Sequence, residues 1–142
     1  MTDRKAVLAV VNSGIDTYLK EGGDCQFVVK GGCMSPLLKN ADHVTVRQKS
    51  HYYPGDVVAY YCPFKEMRVV HRLLGQLTLG TRRVCLIKAD NQTQPDVLVA
   101  RDSLLGYVTQ LPTSHLLRVK CSLLFAYWII KLTSKKIING LH

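Results

Sequence analysis

The stretch Lys30 to Val46, KGGCMSPLLKNADHVTV, sets one cysteine behind a glycine pair and ahead of a methionine and a proline. Glycine lets the backbone approach a bound ligand closely, and a thiol beside it can attack a carbonyl. The alternative for Cys33 is a small buried hydrophobe in a turn, the commoner fate of a lone cysteine. A thiol nucleophile needs a base. Of the five histidines, His71 lies within MRVVHRLLG, where strand neighbours would hold its imidazole at a fixed angle. His43 and His51 fall near strand ends or turns, His115 begins the C-terminal segment and His142 is the last residue. A strand histidine is also a common hydrogen-bonded structural residue, so residue types alone leave both roles open for Cys33 and His71.

The elements that would position these groups follow from periodicity. From Thr2 to Lys20, Val7, Leu8, Val11, Ile15, Tyr18 and Leu19 recur at helical spacing, with Thr2 or Asp3 as cap and Gly22-Gly23 as stop. The middle of the chain predicts about six short strands: Cys25 to Lys30, His43 to Arg47, Val57 to Cys62, Met67 to Leu74, Val84 to Lys88 and Gly106 to Leu111. Turns are expected at Pro54-Gly55-Asp56, Gly80-Thr81 and Asn91 to Pro95. The fold class is mainly β, an antiparallel core with an N-terminal amphipathic helix and a C-terminal helix. The organisation is a helix over 1–24, a β core over 25–112 and a helical segment over 113–142, all one domain. The apolar run from Cys121 to Ile130 has ten residues, whereas a membrane span needs roughly 20. The segment 114–136 therefore either packs on the sheet or a partner, or lies at a lipid surface. In the second case Tyr127 and Trp128 sit at headgroup depth and Lys131, Lys135 and Lys136 face anionic lipid.

Composition narrows the classes. A chain of 142 residues is long enough to bury a core without disulfides or metal. The formal charge of +9 suits an anionic partner, but the basic residues are scattered and no aromatic-basic RNA motif accompanies them, so no specific nucleic-acid partner is expected. Five cysteines at wide gaps, with no C-x-x-C pair, signal neither a disulfide framework nor a zinc site, and no metal or cofactor is expected. Free thiols fit a reducing compartment. The N-terminal segment, interrupted by Asn12, Asp16 and Lys20, reads as neither signal peptide nor membrane span, so the expected location is the cytoplasm.

The order of the short motifs adds to this. Gly31-Gly32-Cys33-Met34-Ser35-Pro36-Leu37-Leu38 is followed by Ala41-Asp42-His43-Val44, Pro54-Gly55-Asp56-Val57-Val58, Val69-Val70-His71-Arg72, Lys88-Ala89-Asp90-Asn91, Asp96 and Leu105-Gly106-Tyr107-Val108. This series, from about Val28 to Val108, resembles the type I signal peptidase clan, which includes the LexA-type self-cleaving repressors. Within it, Val-Val-His-Arg with an Asp-Asn box and a later Asp is similar to the endoplasmic-reticulum and archaeal branch, where histidine is the base. The resemblance implies His71 as base and Asp90 and Asp96 as the two acidic positions, either of which could orient the imidazole, with Asp96 favoured as orienter and Asp90 as support for the loop. It also implies a substrate-binding turn of Gly31, Gly32, Met34 and Pro36, in which Met34 lines the groove and Pro36 fixes the turn. Without it, Asp90 reads as an Asx turn with Asn91, Asp96 as a solvated loop carboxylate, and Met34 as core filling. Arg72 reads first as a solvated strand residue, and second as a group steadying the His71 strand through a carboxylate.

Three departures from the family pattern bear on activity. The nucleophile position holds Cys33 in place of serine, and a thiol paired with histidine can still attack as a thiolate. Gly31 stands where many relatives offer a hydroxyl to the oxyanion, and losing one such donor typically costs roughly 100- to 1000-fold in rate. A polar-interrupted helix stands where export-dedicated relatives carry a membrane anchor, which places any substrate in the cytoplasm or at the inner membrane surface. The resulting expectation is a Cys-His-Asp endopeptidase that processes a leader or precursor peptide. The alternative is an inactive pseudopeptidase that binds an extended peptide or partner protein. A latent self-cleaving repressor fits less well, because fewer than thirty residues precede the nucleophile box, too few for a helix-turn-helix domain.

Overall fold

The computed structural model describes residues 14–62, 64–96 and 98–139. The expected cap at Thr2 or Asp3, the apolar positions Val7, Leu8 and Val11, and His142 lie outside them. Helix α1 occupies 14–20 and ends where expected. The Gly23 N–H donates to the Tyr18 carbonyl at 3.0 Å and the Gly22 N–H to that of Leu19 at 3.1 Å, with Gly22 at φ 89°. This is the Schellman closure, which needs a left-handed residue and so selects glycine. Leu19, on the inward face of α1, is 1% exposed and drives the helix into the core.

The body is one antiparallel sheet: β1 (Asp24–Val28), β2 (His43–Arg47), β3 (Val57–Cys62), β4 (Met67–Leu79), β5 (Arg82–Lys88), β6 (Val99–Ala100) and β7 (Leu104–Val108). Their spatial order is β1-β2-β7-β3-β4-β5-β6. Strand β3 is central and apolar on both faces. Val57 and Ala59 enter one core cluster with Val44, Val46, Met34 and Leu19, while Val58 and Tyr60 enter another with Leu73, Cys85 and Ile87. A strand buried on both faces reads as a continuous apolar run, as VVAYYC does.

Strand β4 runs five residues past its expected end at Leu74. Its first half pairs with β3 and its second with β5, with a register irregularity between Leu73 and Gly75. The β-bulge lets one long strand serve two neighbours. Strand β6 was not foreseen; its two residues carry no readable alternation.

Helix α2 (His115–Asn139) packs against β4. The Ser114 hydroxyl caps it by accepting from the Leu117 N–H at 3.2 Å. Leu117, Cys121, Leu124, Phe125 and Trp128 cover Leu74 and Leu86. Arg118 donates to the Pro54 carbonyl at 3.2 Å and to Asp56 at 3.1 Å, fixing the start of the helix to the Pro54-Gly55-Asp56 turn. Among the described residues, no helix is long and apolar enough to cross a membrane.

Candidate functional site

His71 sits inside β4, directly across from Val58 of β3. Ladder hydrogen bonds on this strand fix its backbone, and burial to 3% exposure fixes its ring. The Tyr60 ring stands edge-on at 6.1 Å. Nδ1 of His71 is hydrogen-bonded to Oδ2 of Asp96. Asp96 reaches this position because the loop after β5 doubles back along it: the Asp96 N–H donates to the Ile87 carbonyl at 2.7 Å, and β6 then pairs with β5. The Tyr60 hydroxyl donates to the same carboxylate oxygen at 3.2 Å.

Burial raises the Asp96 carboxyl, but the His71 hydrogen bond and charge and the Tyr60 hydroxyl outweigh it and hold Asp96 below the ordinary aspartate value. Burial and the neighbouring Asp96 carboxylate push the Tyr60 hydroxyl up, so it stays a proton donor at neutral pH. An ionised carboxylate on Nδ1 sets the tautomer with the proton on that nitrogen, leaving Nε2 as an acceptor. Nε2 is buried and has no hydrogen-bond partner among the described residues. A buried polar atom left open costs about 1–3 kcal/mol, a cost expected where the atom is held for a reacting partner.

His71 and Cys33 line the same groove, about 1130 Å³ in volume. Strand β1 forms one wall through Gln26, Phe27 and Val28, and the β3–β4 hairpin forms the other through Tyr61, Met67 and Val69. The open Nε2 shows that the Cys33 thiol does not hydrogen-bond to the imidazole in this structure. The other described histidines, His43, His51 and His115, are exposed and stand outside the groove.

The turn carrying Cys33 is tied down on both sides. The Asn91 side chain donates to the Gly32 carbonyl at 2.9 Å, and its backbone N–H to the Cys33 carbonyl at 3.1 Å. Gly31, at φ 83°, adopts a conformation L side chains avoid, and its N–H is engaged by Asn40 Oδ1 at 2.9 Å. Gly31, Gly32 and Pro36 are exposed. Met34 is 0% exposed and belongs to the core with Val44 and Val57. It therefore fills the core beneath Cys33 and does not line the groove, a correction to the substrate-contact role implied by the resemblance.

Arg72 also corrects its first reading. It is 8% exposed, not solvated. Nε and Nη2 donate to the two oxygens of Asp90 at 2.8 and 2.7 Å, and Nη1 donates to the Gly55 carbonyl at 2.8 Å. Burial alone would lower the guanidinium, but the Asp90 hydrogen bonds and charge raise it. Asp90 thus joins its loop to the strand of His71, and of the two acidic positions that could orient the ring it is Asp96 that bonds the imidazole while Asp90 is engaged by Arg72.

No family model and no curated protein matches the chain. Sequence reasoning missed the roles of Tyr60 and Asn91: the first lay inside an apolar strand run, and the second stood in the Asp-Asn box and as an Asx-turn partner of Asp90 with no contact assigned to it. Among the described residues, no group of three or more His, Cys, Asp or Glu side chains is arranged to hold a metal.

Proposed function

We propose that this protein is an endopeptidase of the signal-peptidase type, with Cys33 as nucleophile, His71 as general base and then acid, and Asp96 as the carboxylate that orients the ring. The observation that carries this reading is the buried imidazole with Nδ1 on Asp96 and Nε2 open, in a groove that also holds Cys33. In the reaction, Nε2 takes the thiol proton and the sulfur bonds to the scissile carbonyl carbon. The C–N bond breaks as the proton passes to the leaving amine. Water, deprotonated by the same nitrogen, then releases the acid from the thioester. Motion of the turn brings the Cys33 thiol to Nε2 already in the free protein, and substrate tightens that hydrogen bond, since catalytic hydrogen bonds often tighten in the complex.

The substrate is an extended peptide or precursor protein. Among the described residues strand β1 ends the sheet, pairs only with β2 and lines the groove, which suits a strand added by main-chain hydrogen bonds. Small residues before the cut fit the family resemblance, and leader processing in the cytoplasm or at the inner membrane surface is the corresponding role. The mechanism calls for no cofactor and no specific nucleic acid. The test is cleavage of an extended peptide library read by mass spectrometry, with Cys33→Ala and His71→Ala each abolishing the products. Products unchanged in both variants overturn the proposal.

A second reading, a pseudopeptidase that holds its peptide intact, is favoured by the engaged Gly31 N–H and by the missing Cys33–His71 hydrogen bond. It expects a peptide bound uncut, with affinity unchanged in Cys33→Ala.

A further inference from the structure

Helix α2 is apolar on two opposite faces. One face, through Leu117, Cys121, Leu124, Phe125 and Trp128, is spent on the sheet. On the other, Leu116, Val119, Leu123, Tyr127 and Ile130 are 81%, 56%, 67%, 53% and 65% exposed. Their steps of three and four residues stack them as one stripe along the helix. A helix of 25 residues is about 37 Å long, and past Ile129 every residue to Lys136 is exposed. Helix apolar all round is normally buried on all sides.

Charge identifies what covers the stripe. From Pro112 to His142 the chain has no Asp or Glu, while α2 carries Arg118, Lys120, Lys131, Lys135 and Lys136. Lys120 and Lys131 flank the stripe on one side. Lys131 Nζ lies 4.6 Å from the Trp128 ring centre and 5.6 Å from that of Tyr127. A second copy of the helix would bring further lysines and no carboxylate to the seam, which opposes pairing. An anionic bilayer surface satisfies both features: the stripe enters the acyl boundary with the Tyr127 ring at headgroup depth, and Lys120 and Lys131 beside it reach lipid phosphates.

We propose that α2 is an interfacial helix that seats the protein on anionic membrane surfaces through Leu116, Val119, Leu123, Tyr127 and Ile130, with Lys120, Lys131, Lys135 and Lys136 reading the negative charge. The helix lies on the bilayer and does not cross it. The attachment is independent of any chemistry at Cys33 and His71.

The test is co-sedimentation of the full chain with phosphatidylcholine vesicles prepared with and without phosphatidylglycerol. The expected result is binding to the anionic vesicles alone, weakening as salt rises. Lys131→Glu/Lys135→Glu/Lys136→Glu weakens it roughly a hundredfold, at about a factor of five per lost charge before reversal is counted. Leu123→Ser/Ile130→Ser abolishes it while leaving the thermal melt unchanged, because both side chains already face solvent. Protein left in the supernatant with anionic vesicles overturns the proposal, as does equal binding to both vesicle types. A dimer in analytical ultracentrifugation that Leu123→Ser/Ile130→Ser dissolves overturns it in favour of a second copy.

Discussion

His71 and Asp96, 25 residues apart in sequence, meet through Nδ1 and Oδ2 because the loop after β5 folds back along β5. The Tyr60 hydroxyl donates to the same oxygen. This contact gives the site a defined tautomer and makes it sensitive to acid.

Asp96→Asn is expected to lower stability by about 2 kcal/mol at neutral pH, the usual scale for a hydrogen bond to a charged group. The sign with pH follows from the depressed Asp96 carboxyl. Its contribution is fully present above the ordinary aspartate value of about 4 and is lost as pH falls through the lower native value. Thermal melts at a series of pH values check this: the gap between parent and Asp96→Asn should close below about pH 4. A gap independent of pH contradicts the ionised pairing.

Arg72→Ala is expected to destabilise by about 3 kcal/mol, since it leaves the Asp90 carboxylate and the Gly55 carbonyl without their shared donor. Urea denaturation measures the loss. An effect within about 0.5 kcal/mol is what a solvated surface arginine would give.

Much of the fold was legible from local pattern. The strands His43–Arg47 and Val57–Cys62 have the boundaries that their residue types set. Strand β4 extends beyond its expected end because Gly75 reads as a breaker, whereas a Cβ there would meet the Phe125 ring at 2.5 Å, so the glycine admits a helix distant in sequence. The site was legible in part. Cys33 and His71 were marked by their types and Asp96 by the family resemblance. Arg72 looked solvated because its partner Asp90 lies 18 residues away and no local pattern reports that pairing. Met34 was a groove residue by the family resemblance and core filling by its type, and its side chain is buried in the core.

Gly75→Ala tests the seat of α2. The ring atoms nearest the added methyl are at the base of Phe125 and must shift with the helix. A loss of about 1–3 kcal/mol is expected, the usual range for overpacking, with the Phe125→Ala/Gly75→Ala double variant recovering part of it. Additive losses in the double variant contradict a direct contact.

Asn91→Ala removes one hydrogen bond to the Gly32 carbonyl at an exposed site. The stability change should stay below about 1 kcal/mol. Hydrogen exchange should quicken at residues 31–34 and hold steady through β3 and β4. Unchanged exchange in the turn would show that Asn91 does not position Cys33.

The central claim is that His71 activates Cys33. Burial pushes the Cys85 thiol up to about 11 and raises that of Cys121, and Cys62 is buried, which leaves half-buried Cys25 as the internal control. Iodoacetamide labelling of all five cysteines at neutral pH, read by mass spectrometry in the parent and in His71→Ala, tests the claim most directly. The account predicts that Cys33 reacts fastest and slows about tenfold or more in His71→Ala, while Cys25 is unaffected. A Cys33 rate equal to that of Cys25 and indifferent to His71→Ala would contradict it.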